Sequence, residues 1–412
     1  MPELVAVSGL VLIFAIAMWR NINMGAVALV AAFVLGTTYF GQKSGDIADG
    51  FPGGLLITLL GVTFLFGIAR ANGTVDQIVS GAVGAVRGRA ALIPWVFFLL
   101  AAIITGSGAL SAATNAILVP VGLAFAQRYR ISPLLMGLSI INGTNAGGFS
   151  PIAVYYSIVN GVLDSINVTV DAGQLFLWTF VANVVINAAA FMILGGPGLL
   201  RRGRADDDLD TETEKGSWTA PKIITIVLMV GVLVGGLGFK LDVGFLALAA
   251  AVILSVLYPR DSKEGLSHIG WNVILLIGGI VTYISMLENA GVIDSLANRV
   301  ADIGTPLVAA LLMLLVAGVV SAFASTNAMF VVLVPLAAPL LTSGPLAPLG
   351  FVIALCIAAS AVDSSPFSTG GALVVANTEE KLRDKTFKGM MTWGMSMIAV
   401  APVLSWLVYV VL

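Results

Sequence analysis

The charged residues of this chain occur in short clusters that are separated by long apolar segments. Charged side chains make up only 10% of the 412 residues, whereas 58% are hydrophobic. A soluble domain carries about 25% charged residues, so this composition cannot cover a water-facing surface. The apolar segments are about 17–25 residues long, the length that an α-helix needs to cross the hydrocarbon core of a bilayer. The pattern predicts a polytopic α-helical membrane protein.

The two halves of the chain repeat the same landmarks in the same order. The segment NGTVDQIVSGAVGAV parallels AGVIDSLANRVADIG, and SAATNAILVPV parallels FASTNAMFVVLVPL. SPLLMGLSIINGTNAGGFSPI parallels APLGFVIALCIAASAVDSSPF, which aligns Ser150-Pro151 with Ser365-Pro366. A repeat with interruptions at corresponding places is typical of transporters, whose binding sites lie between the repeats.

This repeat predicts two halves, residues 1–199 and 221–412, joined by a polar linker at 200–220 that reads as a cytoplasmic tether. Each half contains an apolar segment with a polar middle, predicted as a re-entrant hairpin (88–127 and 305–342). An interrupted segment follows, predicted as a broken helix (131–160 and 346–376). The segments 72–87 and 290–304 are too polar to span and are predicted to lie at the membrane interface.

The distribution of Lys and Arg residues predicts how the chain is oriented in the membrane. With re-entrant hairpins each half has five spans, an odd number, so the second half is inverted relative to the first. Placing both termini outside puts 17 of the 20 Lys and Arg residues in cytoplasmic loops, as the positive-inside rule requires. Ordinary double spans would give the same charge distribution, so re-entrance is predicted from the polar tips. The predicted fold class is an all-α polytopic membrane protein with two inverted repeats of five transmembrane helices, each with a re-entrant hairpin and a broken helix.

Hydrogen-bonding side chains occur at four interruptions in the middle of apolar segments. Two are predicted hairpin tips, at Ser111 to Asn115 and at Ser325 to Asn327. Two are predicted helix breaks, at Asn142 to Pro151 and at Asp363 to Thr369. A lone serine or threonine in a membrane helix often bonds only to its own backbone. These clusters recur at the same place in both halves, which favours a binding site.

The chemistry of the four interruptions suggests two kinds of ligand. Helix N-termini with hydroxyl and amide donors suit a carboxylate, and unwound carbonyls with Ser, Thr and Asn oxygens suit Na⁺. The predicted substrate ligands are Thr114, Asn115, Ser150, Thr326, Asn327 and Ser365. The predicted Na⁺ ligands are Ser111, Asn145, Gly147, Ser325 and Asp363.

Asp363 is the only carboxylate predicted near the middle of the membrane. An acid at that depth could ligate Na⁺, carry a proton or cap a half-helix. Its counterpart in the first half is Gly148, so the two cation sites are predicted to differ. No nucleophile–base pair, phosphate-binding loop or cluster of metal ligands is evident, and a role other than catalysis is predicted.

The Thr-Asn pairs, followed by broken helices with Ser-Pro, resemble the ion transporter superfamily of elevator-type carriers. The divalent anion/sodium symporter family within it has Ser-Asn-Thr at both tips. This chain has Ala113-Thr114-Asn115 and Ser325-Thr326-Asn327 instead. GFPGGLLITLLGVTFLFGIARANGTVDQI and TNAILVPVGLAFAQRYRISPLLMGL resemble the bacterial malonate/dicarboxylate carriers of the MatC type.

The resemblance implies a sodium-coupled symporter that imports a small dicarboxylate, malonate first and C4-dicarboxylates next, by an elevator mechanism. It implies a homodimer in the bacterial inner membrane, with Na⁺ as the co-transported ion, no organic cofactor and no nucleic-acid partner. Three alternatives stay open: a Na⁺/H⁺ antiporter that uses Asp363, a proton-coupled anion carrier, and the large membrane subunit of a binding-protein-dependent transporter.

Overall fold

The computed structural model is built of helices, as the sequence predicts. It describes residues 2–20, 22–85, 89–201, 217–239, 241–292, 306–322, 326–342 and 346–412, and these ranges contain no strand. The predicted linker and the second interfacial segment fall largely outside these ranges, at 202–216 and 293–305.

The helices of the first half are α1 (Pro2–Arg20), α2 (Met24–Thr38), α3 (Ser44–Asp49), α4 (Gly53–Ala71), α5 (Thr74–Ala85), α6 (Ile93–Gly106), α7 (Ser111–Arg128), α8 (Pro133–Gly148), α9 (Val154–Ser165), α10 (Ala172–Ile193) and α11 (Gly196–Arg201). A short 3₁₀ turn, Ala90–Leu92, precedes α6.

The helices of the second half are α12 (Ala220–Phe239), α13 (Val243–Leu257), α14 (Pro259–Leu266), α15 (Trp271–Asn289), α16 (Pro306–Ser321), α17 (Thr326–Leu336), α18 (Ala338–Thr342), α19 (Pro348–Ser360), α20 (Thr369–Asn377) and α21 (Glu380–Trp406). A 3₁₀ turn, Ala361–Ser364, follows α19, and a π-helical turn, Leu407–Val411, follows α21.

Four helical segments are long and apolar enough to cross a membrane within the described part of the chain: Ala172–Ile193, Trp271–Asn289, Pro348–Asn377 and Glu380–Val411. Seven shorter apolar helices accompany them. The prediction of a multi-pass membrane protein is confirmed at this level.

Helix α10 has one exposed apolar face and one buried polar face. Its outward side exposes large apolar side chains such as Leu177, Val185 and Met192. Its buried side carries Thr179, Asn183 and Asn187, four residues apart and therefore on one face. The helix is apolar outside and polar inside, the reverse of a helix on a water-soluble protein.

Glycine contacts hold the two halves together. Helix α2 packs against α15, and α4 packs against α13. A Cβ atom on Gly25 would overlap the Leu275 carbonyl oxygen, and one on Gly279 would overlap the Gly25 carbonyl oxygen. Gly61 and Gly244 meet the facing helix in the same way. The helix backbones therefore touch, and only hydrogen fits between them.

Two predicted interruptions lie at the wrong residues. Ser111 to Asn115 form the first turn of α7, and the turn between α6 and α7 is Ser107 to Leu110. Gly108, with φ of +109°, adopts there a conformation that only glycine takes readily.

The first helix break is also shorter than predicted, because α8 continues from Asn142 through Gly148. Gly143 packs on the Phe98 carbonyl, and Gly147 packs on the Ala102 carbonyl of α6. These glycines permit close helix packing and do not unwind the helix. The second break fits its prediction, since Ser365 to Ser368 join the 3₁₀ turn to α20.

We expect Gly279→Ala to lower the melting temperature of the protein in detergent. The added methyl group meets the Gly25 backbone, and overpacking of this kind costs about 1–3 kcal/mol. Gly231→Ala in α12 is the control, because a Cβ atom there has nothing within 4 Å. Equal destabilisation by both substitutions, measured by thermal unfolding, would contradict the packing role of Gly279.

Candidate functional site

The helix ends that carry the predicted ligands converge where the two halves meet. Helix α7 packs against α20, and α17 packs against α9. The Asn145 side-chain amide donates to the Ser360 carbonyl oxygen over 2.8 Å, and a Cβ atom on Gly370 would lie 3.0 Å from Asn115 Nδ2. Each of these contacts joins a residue of one half to a residue of the other.

The beginnings of α7 and α17 are each tied to the preceding helix by a pair of hydroxyl groups. Thr105 donates to Thr114 over 3.1 Å within the first helical hairpin, α6–α7. Ser321 and Thr326 lie 3.4 Å apart within the second helical hairpin, α16–α17. Ser321 also donates to the Ala359 carbonyl oxygen over 2.7 Å. Thr114 and Thr326, both buried, therefore fix the position of the helix start.

Several predicted ligands carry buried oxygen atoms without a hydrogen-bond partner among the described residues. These atoms are Ser111 Oγ, Asn115 Oδ1, Asn145 Oδ1 and Asn327 Oδ1. Leaving a buried acceptor unpaired costs about 1–3 kcal/mol for each group. A bound cation or hydrogen-bond donor would remove that cost, so the four oxygens have the chemistry of a ligand site.

Other predicted ligands are engaged in shaping the breaks. The Ser150 N–H donates to the Gly147 carbonyl, and the Ser150 carbonyl accepts from the Ala153 N–H over 2.7 Å. The Ser365 hydroxyl accepts from the Phe367 N–H over 3.3 Å. Gly147 is packed against α6, so its backbone is less open to a cation than the prediction requires. Ser325 lies outside the described residues.

Asp363 holds the centre of the second break. Tyr155 Oη donates to Asp363 Oδ2 over 3.1 Å. The Ser368 hydroxyl donates to the Asp363 backbone carbonyl and accepts from the Gly371 N–H over 3.1 Å, which caps α20. Asp363 as a residue is half-buried, whereas Val362 and Ser364 on either side of it are buried.

Sequence reasoning missed two sets of residues at this site. One is Tyr155 with the capping Ser368; the repetition of Ser-Pro in both halves could have drawn attention to the residues that follow each proline. The other is the pair of buried amides on α10, Asn183 and Asn187, which have unpaired atoms within the described structure. The spacing of Thr179, Asn183 and Asn187 in an apolar segment is a signal of a polar helix face.

Two family models match the chain in different halves. The N-terminal part of the dicarboxylate carrier protein MatC matches residues 1–148, and the citrate transporter family matches residues 226–411. No curated protein matches the sequence.

Solved transporter structures share the fold. The Neisseria gonorrhoeae protein MtrF, described as one of a class of antimetabolite efflux pumps, aligns with a TM-score of 0.62 at 12% identity, over 100% of this chain and 95% of its own. The Alcanivorax borkumensis transporter YdaH aligns with a TM-score of 0.57 at 14% identity, over 98% of both chains. At these identities the likeness concerns the fold alone. The family matches confirm the resemblance found in the sequence, to the MatC-type dicarboxylate carriers in the first half and to the citrate transporters in the second.

Proposed function

We propose that this secondary transporter is a symporter that imports a small dicarboxylate together with Na⁺, with malonate as the first candidate and C4-dicarboxylates as the next. The observation that carries the proposal is the group of unpaired oxygens on Ser111, Asn115, Asn145 and Asn327, close to a single carboxylate, Asp363. Neutral oxygen atoms together with one carboxylate are ligands that suit Na⁺ at a break in a membrane helix.

A dicarboxylate would be held by neutral donors. No lysine or arginine contacts the Asp363 carboxylate among the described residues, so dipoles and amides must bind the anion. The N-terminus of α20 begins beside Asn115 Nδ2, and a helix N-terminus offers N–H groups and a positive dipole end to an anion. Co-bound Na⁺ would supply the remaining charge compensation.

The reciprocal packing supports an inverted repeat. The contact of Gly25 with Gly279 corresponds to that of Gly244 with Gly61, and the helices exchange roles between halves. In the proposed elevator mechanism, the hairpins and broken helices move together through the bilayer as a transport body. The interfacial segments would link this body to a scaffold at the centre of a homodimer, in a bacterial inner membrane with both termini outside.

A proton-coupled anion carrier is the second candidate. The observation that favours it is the same Asp363 carboxylate, because an acid beside a tyrosine hydroxyl at membrane depth is also a common proton carrier. A Na⁺/H⁺ antiporter would use Asp363 without an organic anion. Transport measurements distinguish coupling to Na⁺ from coupling to protons.

We expect purified protein in proteoliposomes to take up radiolabelled malonate when a Na⁺ gradient is imposed. Replacing Na⁺ with choline should reduce uptake to the level of empty vesicles, because the anion would lose its charge compensation. Uptake that persists in choline and follows a proton gradient would remove the sodium coupling. Proton release driven by Na⁺ alone would favour the antiporter. Activity of this chain by itself would also exclude a required binding protein.

We expect Asn115→Ala and Asn327→Ala each to reduce uptake by about tenfold or more, because each amide has an unpaired oxygen that a ligand must satisfy. Asn377→Ala is the matched control, since that amide is exposed and donates to the Leu373 carbonyl one turn earlier in its own helix. Melting temperatures should show that all three variants are folded. Wild-type uptake by both site variants would refute the assignment of these amides.

A further inference from the structure

The two helix breaks differ at the positions that matter most for charge. Aligning Ser150-Pro151 with Ser365-Pro366 pairs Gly148 with Asp363 and Tyr155 with Gly370. The first break therefore lacks the carboxylate and has an aromatic ring, whereas the second has the carboxylate and lacks the ring. In the structure, one side chain, Tyr155, accounts for both differences between the two breaks.

The Tyr155 ring fills the space beside Gly148. A Cβ atom on Gly148 would lie 2.5 Å from Tyr155 Cδ2, so no acid can stand there while the ring is in place. Tyr155 is buried, and its ring centre lies 5.5 Å from those of Phe149 and Phe330. Phe149 and Phe330 are themselves 5.6 Å apart, so these two rings hold the tyrosine between the first break and α17.

The Tyr155 hydroxyl reaches across to the second half. It donates to Asp363 Oδ2 over 3.1 Å, and Ser111 and Thr326 lie beside it. A hydrogen bond from a neutral hydroxyl to a carboxylate is charge-assisted and directional. It fixes the orientation of the Asp363 carboxylate.

The opposite arrangement holds at Gly370. With no side chain there, Asn115 Nδ2 comes close to the backbone at the start of α20. The Gly370 side offers an amide donor and a helix N-terminus to an anion. Next to the Asp363 carboxylate, by contrast, an anion would be repelled. The Gly370 side of the site therefore favours an anion, and the Asp363 side favours a cation.

We propose that Tyr155 makes the two halves of the transport site unequal: its ring replaces a second acidic cation site, and its hydroxyl positions Asp363 as the single acidic ligand for the driving cation beside the second hairpin. The dicarboxylate then binds beside the first hairpin, at the Asn115 amide and the start of α20. This inference rests on the proposed sodium-coupled function. Tyr155 acts through Asp363 and is a positioning residue.

Tyr155→Phe tests the proposal, because it keeps the ring packing and removes only the hydroxyl. We expect the Na⁺ concentration for half-maximal malonate uptake to rise by about tenfold, as for the loss of one hydrogen bond to a charged group. The KM for malonate at saturating Na⁺ should stay within about twofold of the wild-type value, because the anion binds on the other side. Stabilisation of the purified protein by Na⁺ without malonate should weaken in parallel.

Two control variants separate the hydroxyl from the packing. Tyr156→Phe removes the neighbouring hydroxyl, which contacts Asn160 over 3.3 Å, and should leave the Na⁺ response unchanged. Phe149→Leu loosens the ring cluster without touching the hydroxyl, and should lower the melting temperature with the Na⁺ half-saturation retained.

The outcomes distinguish this inference from the function on which it rests. A wild-type protein that responds to Na⁺, with an identical response in Tyr155→Phe, would overturn the positioning role and leave the symporter intact. Equal losses of Na⁺ and malonate affinity in Tyr155→Phe would overturn the separation of the two sides. A wild-type protein that transports malonate without any Na⁺ response would overturn the sodium coupling, and the cation-site inference with it.

Discussion

A polar atom at membrane depth has no water to bond with, so it must find its partner inside the protein. The architecture around the site follows from this constraint. Most backbone groups are satisfied within helices, and hydroxyl pairs such as Thr105 with Thr114 secure the helix starts. The atoms that remain unpaired in the described structure include those of Asn115, Asn145 and Asn327. They belong to the proposed binding site.

The same constraint explains the contrast between the inside and outside of the protein. Apolar side chains are stable in a lipid environment, so the outer face of α10 can consist of large apolar residues. Its buried face can then carry threonine and asparagine, because these meet other helices and not lipid. Glycine plays a matching part at the contacts of α2 with α15 and of α4 with α13, where helix backbones approach too closely for any side chain.

Sequence reasoning found the helical class, the repeat and several residues that converge at the site, because apolar length and recurring polar clusters are local properties. It placed the first turn and the first break wrongly. The first break was predicted to begin at Asn142, whereas Gly143 and Gly147 remain in helix α8 and pack on carbonyl groups of α6. Whether a membrane glycine bends a helix or lets another approach depends on its neighbour in space. Tyr155 was missed because only short polar side chains were considered as ligands.

By itself the sequence determined that this chain is a multi-pass helical carrier, and it identified Asp363 as an acid in an unusual position. Both follow from composition and from spacing along the chain. Only the tertiary structure decided that Tyr155, 208 positions away, donates to that acid, and that Gly148 leaves room for its ring. Contacts between the halves depend on how two broken helices cross, and no local pattern encodes that geometry.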